Sequence, residues 1–260
     1  MTRKCYGQGI RDGSTFSRRR FLKACALTAA LAFCDPLSFG MRPAEAAAGS
    51  FPVLVYHRVG AGDGALSVPA SRFASDLRYL NENGYQTLGM DRLKEHATGG
   101  RPLPDKAVFL TFDDGYLDNY SNAFPLLQAS GMTGNFFVIS GFLGRTDRMT
   151  GCHAIEMARA GMYVGSHTVS HRPLARLEKW ENCAELMRSK AELEDILGKA
   201  VDFVAYPYGS YNGDTLDAAM EAGYWGGLTV NDGYTRLADR LVMNRIAVFR
   251  QSPRLEELLS

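Results

Sequence analysis

The chain has 260 residues, of which 46% are apolar and 22% charged, and its formal net charge is +1. This composition is typical of an ordinary globular protein, neither disordered nor membrane-spanning. The charge is uneven, because residues 1–46 hold eight basic and three acidic residues and leave residues 47–260 at −4. A mildly acidic body gives no electrostatic footprint for nucleic acid, so we expect no nucleic-acid partner.

The first 46 residues have the features of an export signal. Ser17–Lys23 contains three consecutive arginines before Phe-Leu-Lys, Ala24–Phe33 is a short apolar stretch, and Ala44–Ala47 supplies an Ala-x-Ala site. This order predicts a cleavable signal, and the arginines resemble a twin-arginine signal, which the twin-arginine translocase reads. The apolar stretch is too short for a spanning helix. We therefore expect an export segment at 1–46, a folded domain at 47–260 and a periplasmic or secreted protein. The alternative is a basic cytoplasmic tail followed by an amphipathic helix.

Cleavage of the export segment would leave two cysteines, Cys152 and Cys183. Export makes a disulfide permissible, but the sequence does not decide whether these two residues lie close enough to pair. The remaining chain is long enough to bury one sizeable core, and no second domain is predicted.

Apolar runs alternate with helical patterns along the rest of the chain. The predicted strands span 51–56, 85–88, 107–112, 135–139, 162–165, 201–206, 224–230 and 241–249. The predicted helices begin with one capped by Ser71 and continue at 91–97, 119–130, 152–160, 179–197 and 214–222. Strands that alternate with helices indicate a parallel sheet with helices outside. Seven or eight such units predict an α/β fold in which the sheet forms a (β/α) barrel.

Polar side chains follow several predicted strands where each strand ends: His57, Asp113, Asp114, His167, His171 and Tyr208. In barrels, this end of the sheet is where chemistry occurs. The apolar strand at 107–112 has no internal partner for two adjacent charges, so Asp113 and Asp114 must lie at its exit, either solvated or holding a metal. The alternative is a polar loop in which an aspartate caps the next helix.

The two histidines that follow the strand at 162–165 are four residues apart. On one helical turn, this spacing would place the imidazoles of His167 and His171 on the same side. Two neutral histidines plus a carboxylate, with one open position, form a typical catalytic site for a divalent metal. The alternative is that each histidine makes one ordinary hydrogen bond in the core or at the surface.

Three segments together resemble the signature motifs of a known family. Thr-Phe-Asp-Asp-Gly-Tyr at 111–116, His-Thr-Val-Ser-His at 167–171 and Phe-Val-Ala-Tyr-Pro-Tyr-Gly at 203–209 are similar to the three motifs of polysaccharide deacetylases. These are the family four carbohydrate esterases with a NodB-type domain, and the similarity covers 51–249. The resemblance implies a distorted (β/α) barrel that uses a divalent metal to remove acetyl groups from a polysaccharide.

The resemblance also implies roles for particular residues. Asp114, His167 and His171 match the metal ligands, Asp113 matches the general base, and Tyr208 matches the residue whose backbone amide stabilises the oxyanion. We expect zinc, although two histidines and one aspartate also suit cobalt, nickel, iron or manganese.

The chain departs from the commonest family pattern at two places. Ala205 stands where many members have an arginine, and the last predicted strand lacks the late Leu-x-His that supplies the general acid. The first-strand Tyr-His and the Asn-Arg-Ile-Ala-Val ending instead resemble exported poly-N-acetylglucosamine deacetylases, in which the first-strand histidine, here His57, is the acid. Arg245 either replaces the missing arginine or forms a surface salt bridge.

The sequence therefore predicts a metal-dependent hydrolase that removes N-acetyl groups from a polysaccharide similar to poly-N-acetylglucosamine. Two alternatives stay open, namely a catalytically impaired glycan-binding relative and an amidohydrolase acting on a small non-sugar amide. The other polar and aromatic candidates have ordinary explanations: His96 and His153 as solvated or capping residues, and Trp180 and Trp225 as packing residues. The exact glycan, the native metal and the oligomeric state are not determined by the sequence.

Overall fold

Short parallel strands around an apolar interior form the centre of the molecule. The computed structural model describes residues 49–60 and 62–260, so the predicted export segment lies outside the described residues. The strands within them are β1 (Ser50–Phe51), β2 (Val53–Tyr56), β3 (Arg58–Val59), β4 (Ser67–Val68), β5 (Gln86–Thr87), β6 (Ala107–Phe112), β7 (Gly134–Val138), β8 (Tyr163–Ser166), β9 (Phe203–Ala205), β10 (Gly226–Leu228), β11 (Thr235–Arg236) and β12 (Ile246–Ala247).

The main sheet has the strand order β10-β9-β8-β7-β6-β2-β12, and β5 adds to β6. All of its neighbouring strands are parallel. Residues 243–247 connect the two sides of the sheet. Met243 pairs with Leu228 of β10, while Ile246 and Ala247, which form β12, pair with β2. The predicted distorted (β/α) barrel is confirmed. The long strand predicted at 241–249 is in fact this bridge followed by the two-residue β12.

Seven α-helices lie among the described residues: α1 (Ala70–Glu82), α2 (Met90–Ala97), α3 (Phe124–Ala129), α4 (Gly151–Arg159), α5 (Lys179–Leu197), α6 (Gly213–Glu221) and α7 (Leu255–Leu258). A five-residue π-helical stretch, Asn119–Ala123, precedes α3. Helix α1 follows Pro69 directly, so Ser71 lies in the first turn and is not its N-cap. His153 caps α4 together with Thr150, as predicted for a capping residue.

The strands are buried on both faces, and their residues alternate between two apolar layers. One layer contains Val53, Phe109, Tyr163 and Phe203, which point into the barrel. The alternate residues of the same strands pack against the helices. Because side chains alternate with a period of two, the inward row of β2 continues to His57, that of β6 to Asp113, and that of β8 to His167. The strands themselves thus aim three predicted site residues at the barrel mouth.

The two tryptophans and Cys183 can be compared with the expectations from the sequence. Trp225 packs edge-on against Phe203, with ring centroids 5.2 Å apart, as a packing residue should. The packing interpretation of Trp180 is wrong, because this side chain is 72% exposed. The buried stripe of α5 runs through Asn182, Leu186, Ser189 and Leu193, and Trp180 lies off it. Cys183 is a free thiol, so it does not pair with Cys152.

Within residues 49–60 and 62–260, none of the helices combines the length and the apolar character that crossing a lipid bilayer requires.

Candidate active site

The carboxyl ends of β2, β6 and β8 bring the predicted site residues to one place. The Asp113 amide donates to the Tyr56 carbonyl at 3.0 Å, and the His167 amide donates to the Val138 carbonyl at 2.8 Å. These bonds extend the parallel ladder by one residue beyond the strands. His57 and Asp113 therefore leave the neighbouring strands β2 and β6, and His167 leaves β8, which is separated from β6 by β7 alone.

Asp114, His167 and His171 converge on one point. Asp114 Oδ1 lies 3.5 Å from His167 Nε2 and 3.2 Å from His171 Nε2. The His167 ring is buried, and its Nδ1–H donates to the Ala205 carbonyl at 2.7 Å. A carbonyl can only accept, so this bond leaves the lone pair of His167 Nε2 facing Asp114.

The path of the chain between the two histidines differs from the expectation. Residues 167–171 form an irregular loop rather than a helical turn. Thr168 and His171 have φ values of 64° and 59°, and Asp114 has a φ of 73°. Non-glycine residues rarely adopt this left-handed region. The two imidazoles do lie close together, with ring centroids 4.8 Å apart, as the four-residue spacing predicted, but the backbone between them is not the expected helical turn.

The donor set fits a divalent cation. Asp114 Oδ1 is buried and receives no hydrogen bond from the described residues, although the two imidazoles surround it. Burial alone would raise the pKa of the Asp114 carboxyl, but the contact with His171 and the electrostatic interaction with the nearby imidazoles hold it below its ordinary value. Burial lowers the pKa of His167, so its ring is neutral near pH 7. One carboxylate and two imidazoles are a ligand set that Zn²⁺ and similar ions accept.

Asp113 is held differently from its neighbour. Its two oxygens accept from Arg245 at 2.8 and 2.7 Å in a buried bidentate ion pair. Arg245 is 1% exposed, and it also donates to the Thr229 carbonyl and to the Thr111 hydroxyl. Burial opposes ionisation of Asp113, but the Arg245 charge outweighs it and lowers the pKa of the carboxyl. The surface salt-bridge alternative for Arg245 is therefore wrong.

His57 lies at the end of β2, beside both carboxylates. Its Nδ1 is buried and has no hydrogen-bond partner among residues 49–60 and 62–260, and its carbonyl accepts from the Asn119 side chain at 2.7 Å. Burial lowers the pKa of His57, and the charges of Asp113 and Asp114 oppose that shift. One face of the ring is near Phe249, with ring centroids 6.3 Å apart. His57 thus presents a buried ring nitrogen without a hydrogen-bond partner among the described residues beside the two carboxylates.

Tyr208 lies in a tight turn, Pro207–Gly209, directly after β9. Its φ is 59°, its side chain is 66% exposed, and its ring centroid is 4.6 Å from that of His171. A Cβ on Gly209 would lie 2.4 Å from Val230, so the turn packs tightly against the segment after β10. This contact fixes the Tyr208 backbone next to the histidine pair.

Sequence reasoning missed the residues that support Asp114. Arg148 donates to the Asp114 carbonyl at 2.6 Å and lies 3.9 Å from the centroid of the Tyr116 ring. Arg58 lies 4.4 Å from the same ring. Tyr116 belongs to the first motif, but nothing in the sequence pairs it with arginines 58 and 32 residues away.

Comparisons with known proteins agree with the site. Residues 100–226 match the family model described as polysaccharide deacetylase. The Bacillus subtilis (strain 168) protein YxkH carries the name of a polysaccharide deacetylase. It is 35% identical over 182 residues, which cover 70% of this chain and 65% of that protein. The poly-beta-1,6-N-acetyl-D-glucosamine N-deacetylase of Staphylococcus aureus (strain MRSA252) is 25% identical over 64% of this chain and 62% of its own length. This chain thus spans less than two thirds of the length of each of these relatives.

A solved structure shows the same architecture. The Streptococcus pyogenes deacetylase PplD, solved in complex with acetate, is 28% identical and superposes with a TM-score of 0.76 over 80% of this chain and 98% of its own. The sequence motifs, the fold and these matches agree, and the predicted resemblance to the polysaccharide deacetylases, which are hydrolases, is confirmed.

Proposed function

We propose that this protein is a metal-dependent hydrolase that removes N-acetyl groups from a cell-surface or matrix polysaccharide similar to poly-N-acetylglucosamine. One observation carries the proposal: three metal-type donors, Asp114, His167 and His171, converge beside a second buried carboxylate, Asp113, that the metal site does not use. The name of the Staphylococcus aureus relative supports the choice of glycan.

Amide hydrolysis needs a polarised carbonyl, an activated water and a protonated leaving nitrogen. A divalent cation held by Asp114, His167 and His171 would supply Lewis acidity at the acetyl carbonyl. Zinc fits this donor set, and cobalt, nickel, iron and manganese are alternatives. The other requirements fall to groups of this chain.

Asp113 is the general base in this proposal. It takes a proton from the water whose oxygen attacks the acetyl carbon, and its low pKa keeps it ionised and ready to accept. The bidentate contact with Arg245 fixes the orientation of the carboxylate. We assign Tyr208 the role of donating its backbone N–H to the developing oxyanion, as the family resemblance implies.

His57 is the general acid. The C–N bond breaks only when the leaving nitrogen takes up a proton, because an amide anion is a very poor leaving group. Of the other histidines, two belong to the metal site, His153 caps α4, and His96 lies on α2. His57 is the remaining imidazole, and it stands beside Asp113 and Asp114. The products are acetate and a free amine on the sugar.

Two exposed aromatic rings border the site and suit a sugar polymer. The Tyr208 ring lies against His171, and the Phe249 ring, which is 38% exposed, lies near His57. Aromatic faces pack against the apolar faces of pyranose rings. Because both aromatic rings are partly exposed, a polysaccharide can continue past them on either side. We propose that these rings contact the glycan on opposite sides of the reacting acetamide.

The proposed location follows from the first 46 residues. Their arginines and the Ala-x-Ala site support twin-arginine export, cleavage near Ala46 and a periplasmic or secreted enzyme at 47–260. The predicted substrate, a matrix polymer, is found in the same compartment.

Acetate release from a panel of acetylated polymers tests this function. The panel contains poly-β-1,6-N-acetylglucosamine oligomers, chitin oligomers, peptidoglycan, O-acetylated xylan and a small non-sugar amide. We expect the highest kcat/KM on the first. Preference for the small amide would support the amidohydrolase alternative, and binding of oligomers without acetate release would support the glycan-binding alternative.

A further inference from the structure

The loop that carries the two histidines, residues 167–171 and here termed the ligand loop, is held by a carboxylate on α5. Glu185 Oε2 accepts hydrogen bonds from the Val169 and Ser170 amides, each at 2.9 Å. Glu185 Oε1 accepts from the Ser170 hydroxyl. Both carboxylate oxygens are therefore used, and all three donors lie between the two histidines.

The backbone of the ligand loop needs such an anchor. Thr168 and His171 occupy the left-handed region, which costs on the order of 1 kcal/mol or more for each residue with a side chain. On its other side, the loop accepts hydrogen bonds from the Ser140 and Gly141 amides at 3.0 and 3.1 Å. A Cβ at Gly141 would lie 2.5 Å from the Val169 carbonyl oxygen, so this contact is already close. Glu185 completes the restraint from the opposite side.

Helix α5 is a rigid base for this carboxylate. Leu186, the next residue, is fully buried, and its carbonyl accepts from the Tyr224 hydroxyl. One turn further on, the Ser189 hydroxyl is 2.8 Å from the Ser166 hydroxyl at the end of β8. One turn after Glu185, the helix is thus joined directly to the strand that leads into the ligand loop.

We propose that Glu185 is a positioning residue that holds the ligand loop in its metal-binding conformation, so that the affinity for a divalent metal depends on it. The inference rests on the metal site of the proposed function. Hydrogen bonds to an ionised acceptor are roughly twice as strong as neutral ones. Three of them offset the unfavourable backbone at Thr168 and His171, and without them the His171 ring is free to leave Asp114.

Glu194 provides a matched control on the same helix. Its Oε1 accepts from the Val201 amide at 2.9 Å and pairs with Lys190, also at 2.9 Å. Like Glu185, it is half-buried and stabilises a loop, but that loop lies at the other end of the barrel and carries no predicted ligand. A general loss of helix or loop stability should affect the two variants alike.

The experiment compares Glu185→Gln, Glu194→Gln and Ser170→Ala in the full chain. The dissociation constant for Zn²⁺ is measured by competition with a chromophoric chelator, and hydrogen exchange of residues 167–171 is measured in the metal-free protein. We expect Glu185→Gln to bind Zn²⁺ about 10–100-fold more weakly and to exchange the Val169 and Ser170 amides at least about tenfold faster. Ser170→Ala, which removes one of three contacts, should show a smaller change of the same kind. Glu194→Gln should match the wild type in both measurements.

Equal zinc affinity in Glu185→Gln and wild type, or equal losses in Glu185→Gln and Glu194→Gln, would overturn the proposal. If Glu185→Gln does not fold, Ser170→Ala decides by the same two measurements. If the wild-type protein binds no divalent metal, the proposed function fails. Exchange at Val169 and Ser170 then still shows whether Glu185 holds the loop.

Discussion

Left-handed backbone is used in two ways at the two ends of the barrel. Where helices end, glycines adopt it, such as Gly161 after α4 and Gly198 after α5. Where strands end at the proposed site, Gly115 and Gly209 adopt it, but so do four residues with side chains: Asp114, Thr168, His171 and Tyr208. Among the described residues, the remaining non-glycine example is Asp147. Its carbonyl accepts a hydrogen bond from the amide of Leu117, just after the first motif.

Charge is distributed with the same asymmetry. The strand-end side holds the buried groups Asp113, Asp114, His167 and Arg245. At the opposite end, the buried polar group Tyr163 is a neutral phenol that accepts from the Asp202 and Phe203 amides. Strained backbone and buried charge both reduce stability, and both are concentrated where the proposed chemistry needs fixed geometry. The following predictions test whether this difference between the two ends is functional.

The largest effect is expected from Asp113→Asn. The variant keeps the shape of the side chain but cannot accept a proton from water, so acetate release should fall about 10²–10⁴-fold. The metal ligands are untouched, so Zn²⁺ should still bind with wild-type stoichiometry. Steady-state acetate release and metal analysis of the same sample check both parts. Retained turnover in metal-loaded Asp113→Asn would remove this residue as the base.

Arg245→Met should destabilise the protein strongly. It leaves the Asp113 carboxylate buried without its partner, which typically costs about 3–5 kcal/mol. It should also raise the pKa of Asp113 and move the acidic limb of the pH–rate profile upwards. The control is Arg188→Met, which breaks the exposed pair with Glu192 and should cost less than about 1 kcal/mol. If the free energy of unfolding, measured with urea, falls by similar amounts in the two variants, the buried-pair interpretation is contradicted.

His57→Gln separates acid catalysis from a structural role. Turnover of an N-acetyl substrate should fall about 10²-fold or more, because the leaving nitrogen needs a proton. Hydrolysis of an aryl acetate should fall much less, since a phenolate leaves without protonation. Both rates are compared at one pH with metal content verified. Equal losses on the two substrates would assign His57 to structure or substrate binding.

Backbone strain at the two ends can be compared with a pair of substitutions. Gly161→Ala places a Cβ where φ is 88° and no other atom lies within 4 Å, so the loss of about 1–2 kcal/mol should come from the backbone alone. Tyr208→Gly removes the same type of strain at the exposed site turn and should stabilise the protein by up to about 1 kcal/mol. Destabilisation by both substitutions would show that Tyr208 is not strained.

The smallest effect concerns pH. Burial lowers the pKa of His57 and His167 in the folded protein, so the unfolded chain binds more protons once the pH falls below about 6.5. The stabilisation that these two histidines contribute is fully present above that pH. It is lost as the pH falls towards their pKa values in the folded protein. The lowered pKa values of Asp113 and Asp114 act only at more acidic pH. Thermal melts of metal-free protein between pH 7.5 and 5 should therefore show a decreasing Tm; a constant Tm would contradict this account.

The parts of the fold with local causes were predictable from sequence. The apolar run of β6 and the helical pattern of α5 predicted strand 107–112 and helix 179–197 with the bounds that the structure has. The period-two alternation of the strands also explains why His57, Asp113 and His167 lie together.

The parts that depend on distant contacts were not predictable. Asp113 and Arg245 are 132 residues apart, so no local pattern indicates the pair; only the family resemblance offered Arg245 as a replacement for a missing arginine. The helical turn expected for residues 167–171 does not form. Thr168 and His171 adopt left-handed angles instead, in a loop that also contacts the distant residues Glu185 and Ser140. Trp180 was expected to be a packing residue, but its side chain on α5 faces solvent.

A metal titration tests the central claim most directly. Protein stripped with a chelator is titrated with Zn²⁺ while acetate release from a poly-β-1,6-N-acetylglucosamine oligomer is followed. The account predicts that activity starts near zero, rises linearly and reaches its plateau at one equivalent in the wild type. In Asp114→Asn, the activity should stay near zero at one equivalent of Zn²⁺. Full activity in the stripped protein, or an unchanged titration in Asp114→Asn, would contradict the claim that these residues form one catalytic metal site.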